Sequence, residues 1–282
     1  MLERLAAQRD DQPIWVDSLE YCQTRILRHE PLPWHNPSEL GDFFAKMDGL
    51  FSSDAILFDL GRAYNDLISA LPGVRTDMGE RHRPGYALKV MLGDASVRSR
   101  VLDAVLAVAA VATSRKRNMV ISIPSPQQWL RTAGNLASQL PQVMAPLDPR
   151  QVETGAIYLA DNLRTLAALA VDAIVIYEEA KIDGTVDSLE PYRPILNIAA
   201  HYGWPVLHRS DLEGCWCYDA VVGIAASLGR FAPVSTETRP WGVVSELSGT
   251  VNLSARHGAP AVLVVPREAD PNDVTSWMST LR

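Results

Sequence analysis

Short apolar runs recur along the chain, separated by longer stretches in which apolar residues return at helical spacing. The runs read as strands: "DAILFDL" (54–60), "YALKVML" (86–92), "NMVISIP" (118–124), "DAIVIYE" (172–178), "WPVLHR" (204–209), "APVS" (232–235), "WGVVSE" (241–246) and "PAVLVVP" (260–266). Most end in a polar residue or a proline, as a strand leaving the core should. Ala173 to Tyr177 is the apolar, β-branched run expected of a strand buried on both faces. Between the runs, 96–114 opens with a Ser cap candidate, and 148–170 opens Asp-Pro, a cap with proline at the first helical position. The stretch 187–203 ends on Gly203, and the last helix again opens Asp-Pro.

Strand–helix alternation of this kind implies a mostly parallel sheet. About eight units in 282 residues fit an α/β (β/α)₈ barrel better than an open doubly wound sheet. Residues 1–53 precede the first of these strands and contain the amphipathic "PSELGDFFAKMDGLF". They are expected to form an N-terminal helical arm packed on a barrel of residues 54–282, the whole being one domain. No linker, solenoid-period repeat or low-complexity tract interrupts the pattern.

Composition narrows the function. A net charge of −7 argues against a general nucleic-acid binder, whose footprint is basic. No apolar run approaches the ~20 residues of a membrane helix. The N-terminus, "MLERLAAQRDDQP", lacks the apolar core of a signal peptide, so the cytoplasm is the expected compartment. Three cysteines, Cys22, Cys215 and Cys217, make no disulfide framework. The expected partner is a small molecule, with a homodimer left open.

In a barrel, chemistry gathers at strand C-termini and the loops after them. The first strand ends in Asp59, followed by Arg62, Asn65 and Asp66; the third ends near Ser122, Ser125 and Gln127. The fourth brings Tyr177, Glu178 and Glu179, the fifth His208, Arg209 and Ser210, the seventh Ser245 and Glu246. Side chains alternate along a strand, so only one of Glu178 and Glu179 need face the barrel mouth, the other capping or ion-pairing. His208 is either a site residue or a satisfied core histidine. "CWC" supplies two thiols for a zinc half-site with His208, or two small buried apolar side chains. The phosphate-loop, GxGxxG, GxSxG and HExxH patterns are absent.

"FDLGRAYNDLISAL" (58–71), "ISIPSPQQWL" (121–130), "YLADNLRTLAALAVDAIVIYEE" (158–179) and "WPVLHRS" (204–210) occur in an order that resembles the (β/α)₈ superfamily of uroporphyrinogen decarboxylase, cobalamin-independent methionine synthase and the corrinoid/thiol methyltransferases. The resemblance covers roughly residues 54–280 as short patches. It implies a methyl- or alkyl-transferase-like enzyme on a small polar substrate, with zinc held by His208 and Cys215 or Cys217 activating a thiol. The family's zinc-binding Cys falls at Ser210, so the thiolate is missing from its usual place. The decarboxylase branch implies instead a metal-independent lyase or decarboxylase of a small carboxylate, with Asp59 as acid/base and Arg62 anchoring the substrate. A barrel that binds a ligand without catalysis is the third expectation. Catalytic roles are expected for Asp59, His208 and Glu178, and substrate contacts for Arg62, Asn65, Ser125, Tyr177, Glu179 and Glu246.

Overall fold

The computed structural model describes residues 13–51, 53–81, 83–137, 147–178, 190–210, 223–227, 242–246 and 261–280, with backbone alone over 223–227 and 242–246. The fold is α/β, with a curled parallel sheet and, among the described residues, ten α-helices.

The sheet begins earlier than the hydrophobic pattern suggests. Strand β1 (Ile14–Asp17) pairs in parallel with β2 (Ala55–Asp59) through Trp15 and Ala55, and with β8 (Ala261–Val264) along its whole length. The expectation that residues 1–53 lie outside the sheet is therefore corrected. Helices α1 (Leu19–Ile26) and α2 (Pro37–Phe51) fill the rest of that segment, and Phe43, Phe44, Met47 and Phe51 bury the apolar face of α2. A second correction concerns "YALKVML". After α3 (Leu60–Ser69) and α4 (Pro72–Gly79), residues Pro84–Gly93 form helix α5, running into α6 (Ala95–Arg115). Its buried residues, Ala87, Leu88, Met91 and Leu92, recur every three to four positions, the helical rather than the strand period. Pro84 sits in the first turn, where its missing N–H costs nothing. The cap of α6 is Asp94, whose carboxylate accepts from Val97 N at 2.9 Å, and not Ser96.

Strands β3 (Asn118–Pro124), β4 (Ala173–Glu178) and β5 (Val206–Ser210) lie where the apolar runs place them. Helices α7 (Pro126–Leu136), α8 (Pro149–Leu163), α9 (Arg193–Tyr202) and α10 (Pro271–Thr280) complete the set. Asp148 opens α8 with a reciprocal capping box, and Gly203 closes α9 at φ 70°, a left-handed conformation that glycine adopts without strain. Ordered β8-β1-β2-β3-β4-β5, six strands form a parallel half-barrel. Backbone segments β6 (Gly223–Ser227) and β7 (Gly242–Glu246) pair in parallel with β5 and β8 respectively. β6 falls where the apolar runs mark no strand, and "APVS" (232–235) lies outside the described residues.

Two apolar cores follow from strand alternation. Ile14, Ile56, Phe58, Met119, Ile121, Ile174, Ile176 and Leu263 face the helices. Trp15, Ala55, Val120, Ala173, Val175, Leu207 and Val262 face the inside of the curl. The inner set is small, with Trp15 its one large side chain and fully buried. Following the inner parity toward the C-terminal ends leads from this apolar floor to Asp17, Asp59, Tyr177 and Arg209. No helix among the described residues is long and apolar enough to cross a membrane.

Candidate active site

A cavity of about 440 Å³ opens at the C-terminal ends of the strands, floored by Leu57 and walled by Asp17, Glu20, Asp59, Arg62, Asn65, Ser122, Gln128, Trp129, Thr132, Tyr177, Glu178 and Arg209. Five of the expected site residues therefore share one cavity: Asp59, Arg62, Asn65, Tyr177 and Glu178.

Asp59 ends β2 and caps α3, its Oδ1 accepting from Arg62 N at 2.9 Å. The Tyr177 hydroxyl, carried in by β4, lies 3.3 Å from each carboxylate oxygen. This junction is tight. A Cβ on Gly61 would stand 2.3 Å from Pro124 Cγ and 3.2 Å from the Tyr177 hydroxyl, so only glycine lets α3 start this close to the end of β3. Protein surrounds the Asp59 carboxylate except toward the cavity. That desolvation pushes its pKa up to about 6, aided by the negative charge of Asp17 and opposed by the amide of Arg62, the Tyr177 hydroxyl and the Arg62 charge. A carboxyl poised near neutrality can both take and return a proton.

Arg62, expected to anchor a substrate carboxylate, is already engaged by groups of the protein. Its Nε donates to Asp66 at 2.7 Å, Nη1 to Glu20 at 3.0 Å and Nη2 to Gln23 at 3.0 Å. Asp66 also accepts from Trp34 Nε1 at 3.0 Å. The guanidinium thus ties α3 to α1 and forms one wall of the cavity. Asn65 stands beside it, donating to Asp66 Oδ1 at 3.4 Å. Across the mouth, Arg209 pairs with Asp17 at 3.0 Å.

Glu178 has the helix-facing parity, yet as the last residue of β4 its carboxylate edges the cavity. The Tyr192 hydroxyl donates to its Oε1. Ser125 caps α7, accepting from Gln128 N at 3.2 Å, and also hydrogen-bonds within this group. Burial works to raise the Glu178 pKa, but His208, Tyr192 and Ser125 together outweigh it and hold the carboxyl below its ordinary value. His208 stands behind Glu178, 1% exposed, with Nε2 3.8 Å from Oε1. That distance is electrostatic contact rather than a hydrogen bond. His208 shares the helix-facing parity of Ile176, its register partner, and is absent from the cavity wall. Its expected place in the mouth is corrected: Arg209, the next residue, occupies it.

These positions bear on zinc. The imidazole faces Glu178 and Tyr192 rather than the cavity, with ring centroids 6.4 Å apart in the Tyr192 pair. Among the described residues no group of three His, Cys, Asp or Glu side chains is arranged to hold a metal. Glu179, Cys215 and Cys217 lie outside the described residues, as does the side chain of Glu246. Of the three donors that the methyltransferase resemblance implies for zinc, His208 alone lies among the described residues.

Sequence reasoning did not name Asp17, Glu20 or Tyr192, and it placed Arg209 at the rim without giving it a role. Parity was the available signal for Arg209: alternate residues from Leu207 reach it and skip His208. Comparison with protein-family models and with curated proteins finds no match to this chain.

Proposed function

We propose that the chain is a metal-independent acid–base enzyme, a carbon-bond lyase acting on a small polar substrate held in the cavity at the strand ends. The observation that carries this is Asp59: a desolvated carboxyl with a pKa of about 6, hydrogen-bonded to Tyr177 and facing the cavity. In the lyase direction its carboxylate takes the proton from the carbon beside the bond that breaks. The C–H electron pair becomes the new double bond, and the leaving group departs with its bonding pair and collects the proton from Asp59. The Tyr177 hydroxyl holds the carboxylate in place, and Glu178 supplies a fixed negative charge on the cavity wall.

The architecture belonging to this reading is a complete (β/α)₈ barrel, supported by the pairing of β6 and β7 into the gap between β5 and β8. Kinship with the decarboxylase and methionine synthase superfamily rests on the "GRAYNDL" turn after β2 and the "LHRS" of β5. Two of the three donors expected for zinc lie outside the described residues, so no step is drawn through the metal.

Proton NMR in D₂O tests the proposal with a panel of small hydroxy, amino and carbonyl compounds. The purified protein should catalyse elimination or carbon-bound proton exchange for a member of the panel, unaffected by a chelator. Asp59→Asn should lower the rate by about 10²–10⁴. Full activity in that variant, or turnover that depends on added zinc, rejects the reading.

A further inference from the structure

We infer that the substrate carries a protonated nitrogen and that Glu178 receives it. The inference rests on the cavity being the substrate site, and it comes from how the charges around that cavity are spent. Both guanidinium groups on the wall are already neutralised within the protein. Arg62 is bound by Asp66 and Glu20, and Arg209 by Asp17. Glu178 and Asp59 are the remaining carboxylates on the wall, and neither is bridged by a Lys or Arg side chain among the described residues. A substrate anion would meet two carboxylates with no Lys or Arg partner among the described residues; a cation would meet complementary charge.

Glu178 rather than Asp59 is the receiving group because of what stands behind it. Its side chain is only 17% exposed, and an ionised carboxylate so placed is costly unless donors and charge support it. Tyr192 and Ser125 supply hydrogen bonds from the protein side. A carboxylate accepts about four hydrogen bonds, which leaves capacity toward the cavity. His208 is the independent sign. It is almost wholly buried, and among the described residues neither ring nitrogen has a hydrogen-bond partner, an arrangement that is expensive for packing alone. Placed 3.8 Å behind Glu178, it backs the carboxylate electrostatically from the side opposite the cavity. Asp59, whose bonds from the Arg62 amide and the Tyr177 hydroxyl do not offset its desolvation, is left to carry protons.

Saturation-transfer NMR with n-butylammonium and butyrate, probes of equal length and opposite charge, tests this on the intact protein near neutral pH. Butylammonium should bind at least about tenfold more tightly than butyrate. Glu178→Gln should remove about ten- to hundredfold of that affinity, the range expected for a hydrogen bond to a charged group, and Asp59→Asn should remove less. Butyrate binding as tightly as butylammonium to the unmodified protein overturns the inference whether or not the variants fold. So does a folded Glu178→Gln protein that keeps its affinity. The assay needs no turnover, so an active Asp59→Asn enzyme would reject the lyase mechanism while leaving cation binding to be judged on its own.

Discussion

Replacing Asp59 by asparagine exchanges a desolvated carboxylate for a neutral side chain of nearly the same shape. The helix cap survives, since asparagine accepts the Arg62 amide as well as aspartate does. What changes is the electrostatic cost. Raising the carboxyl from 3.8 to about 6 means that holding it ionised in the folded state costs up to about 3 kcal/mol relative to the unfolded chain, at about 1.4 kcal/mol per pH unit. Water in the cavity and the altered Tyr177 contact reduce the recoverable part to about 1–2 kcal/mol. The sign follows from the raised pKa. The stability tied to the protonated carboxyl is fully present below the unfolded value near 4 and is lost as pH rises through about 6. Asp59→Asn escapes that loss. Urea unfolding should therefore find variant and wild type alike near pH 4, diverging between about 4 and 6, and separated by a constant amount above, with the inactive variant more stable. A variant equal to or weaker than wild type above about pH 7, or a difference independent of pH, would refute the assignment of a strained, functional carboxyl.

Gly61→Ala should lower the thermal midpoint by the equivalent of about 1–3 kcal/mol and weaken turnover, because the new methyl meets the rigid Pro124 ring at 2.3 Å; an unchanged midpoint would show that α3 shifts without cost. Tyr177→Phe removes a hydrogen bond that favours the ionised form of Asp59, so the acid limb of the rate–pH profile should move upward from about 6; a profile that stays or moves down contradicts the contact. Arg62→Met breaks the fork from α3 to α1 and should cost about 1–2 kcal/mol, with faster amide exchange confined mainly to α1; Arg62→Lys should restore only part of it, since an ammonium cannot reproduce three divergent bonds. Uniform exchange rates across both helices in Arg62→Met would mean that the fork does not hold α1.

Local chemistry was enough to place much of this molecule. The apolar runs at 118–124 and 172–178 specify strands because nothing but a two-sided core accommodates them, and Asp148 and Gly203 mark helix ends through their own hydrogen bonding and backbone freedom. Asp59 and Tyr177 were legible as rim residues because strand ends must leave the core. Tertiary structure decided the rest. Ile14–Asp17 is a strand because β2 and β8 stand on either side of it, four residues being too short a run to declare itself. "YALKVML" is a helix because its neighbours bury it every third or fourth position, and a short apolar run suits either period. Arg62 looked available for a substrate until the fold brought Glu20 and Gln23, some forty residues away, against its guanidinium. Which of His208 and Arg209 reaches the mouth turns on the parity of one residue, which only the register of β5 against β4 fixes. The pKa of Asp59 belongs wholly to this second category: residue type sets its ordinary value, but desolvation and neighbouring charge exist only once distant strands have met.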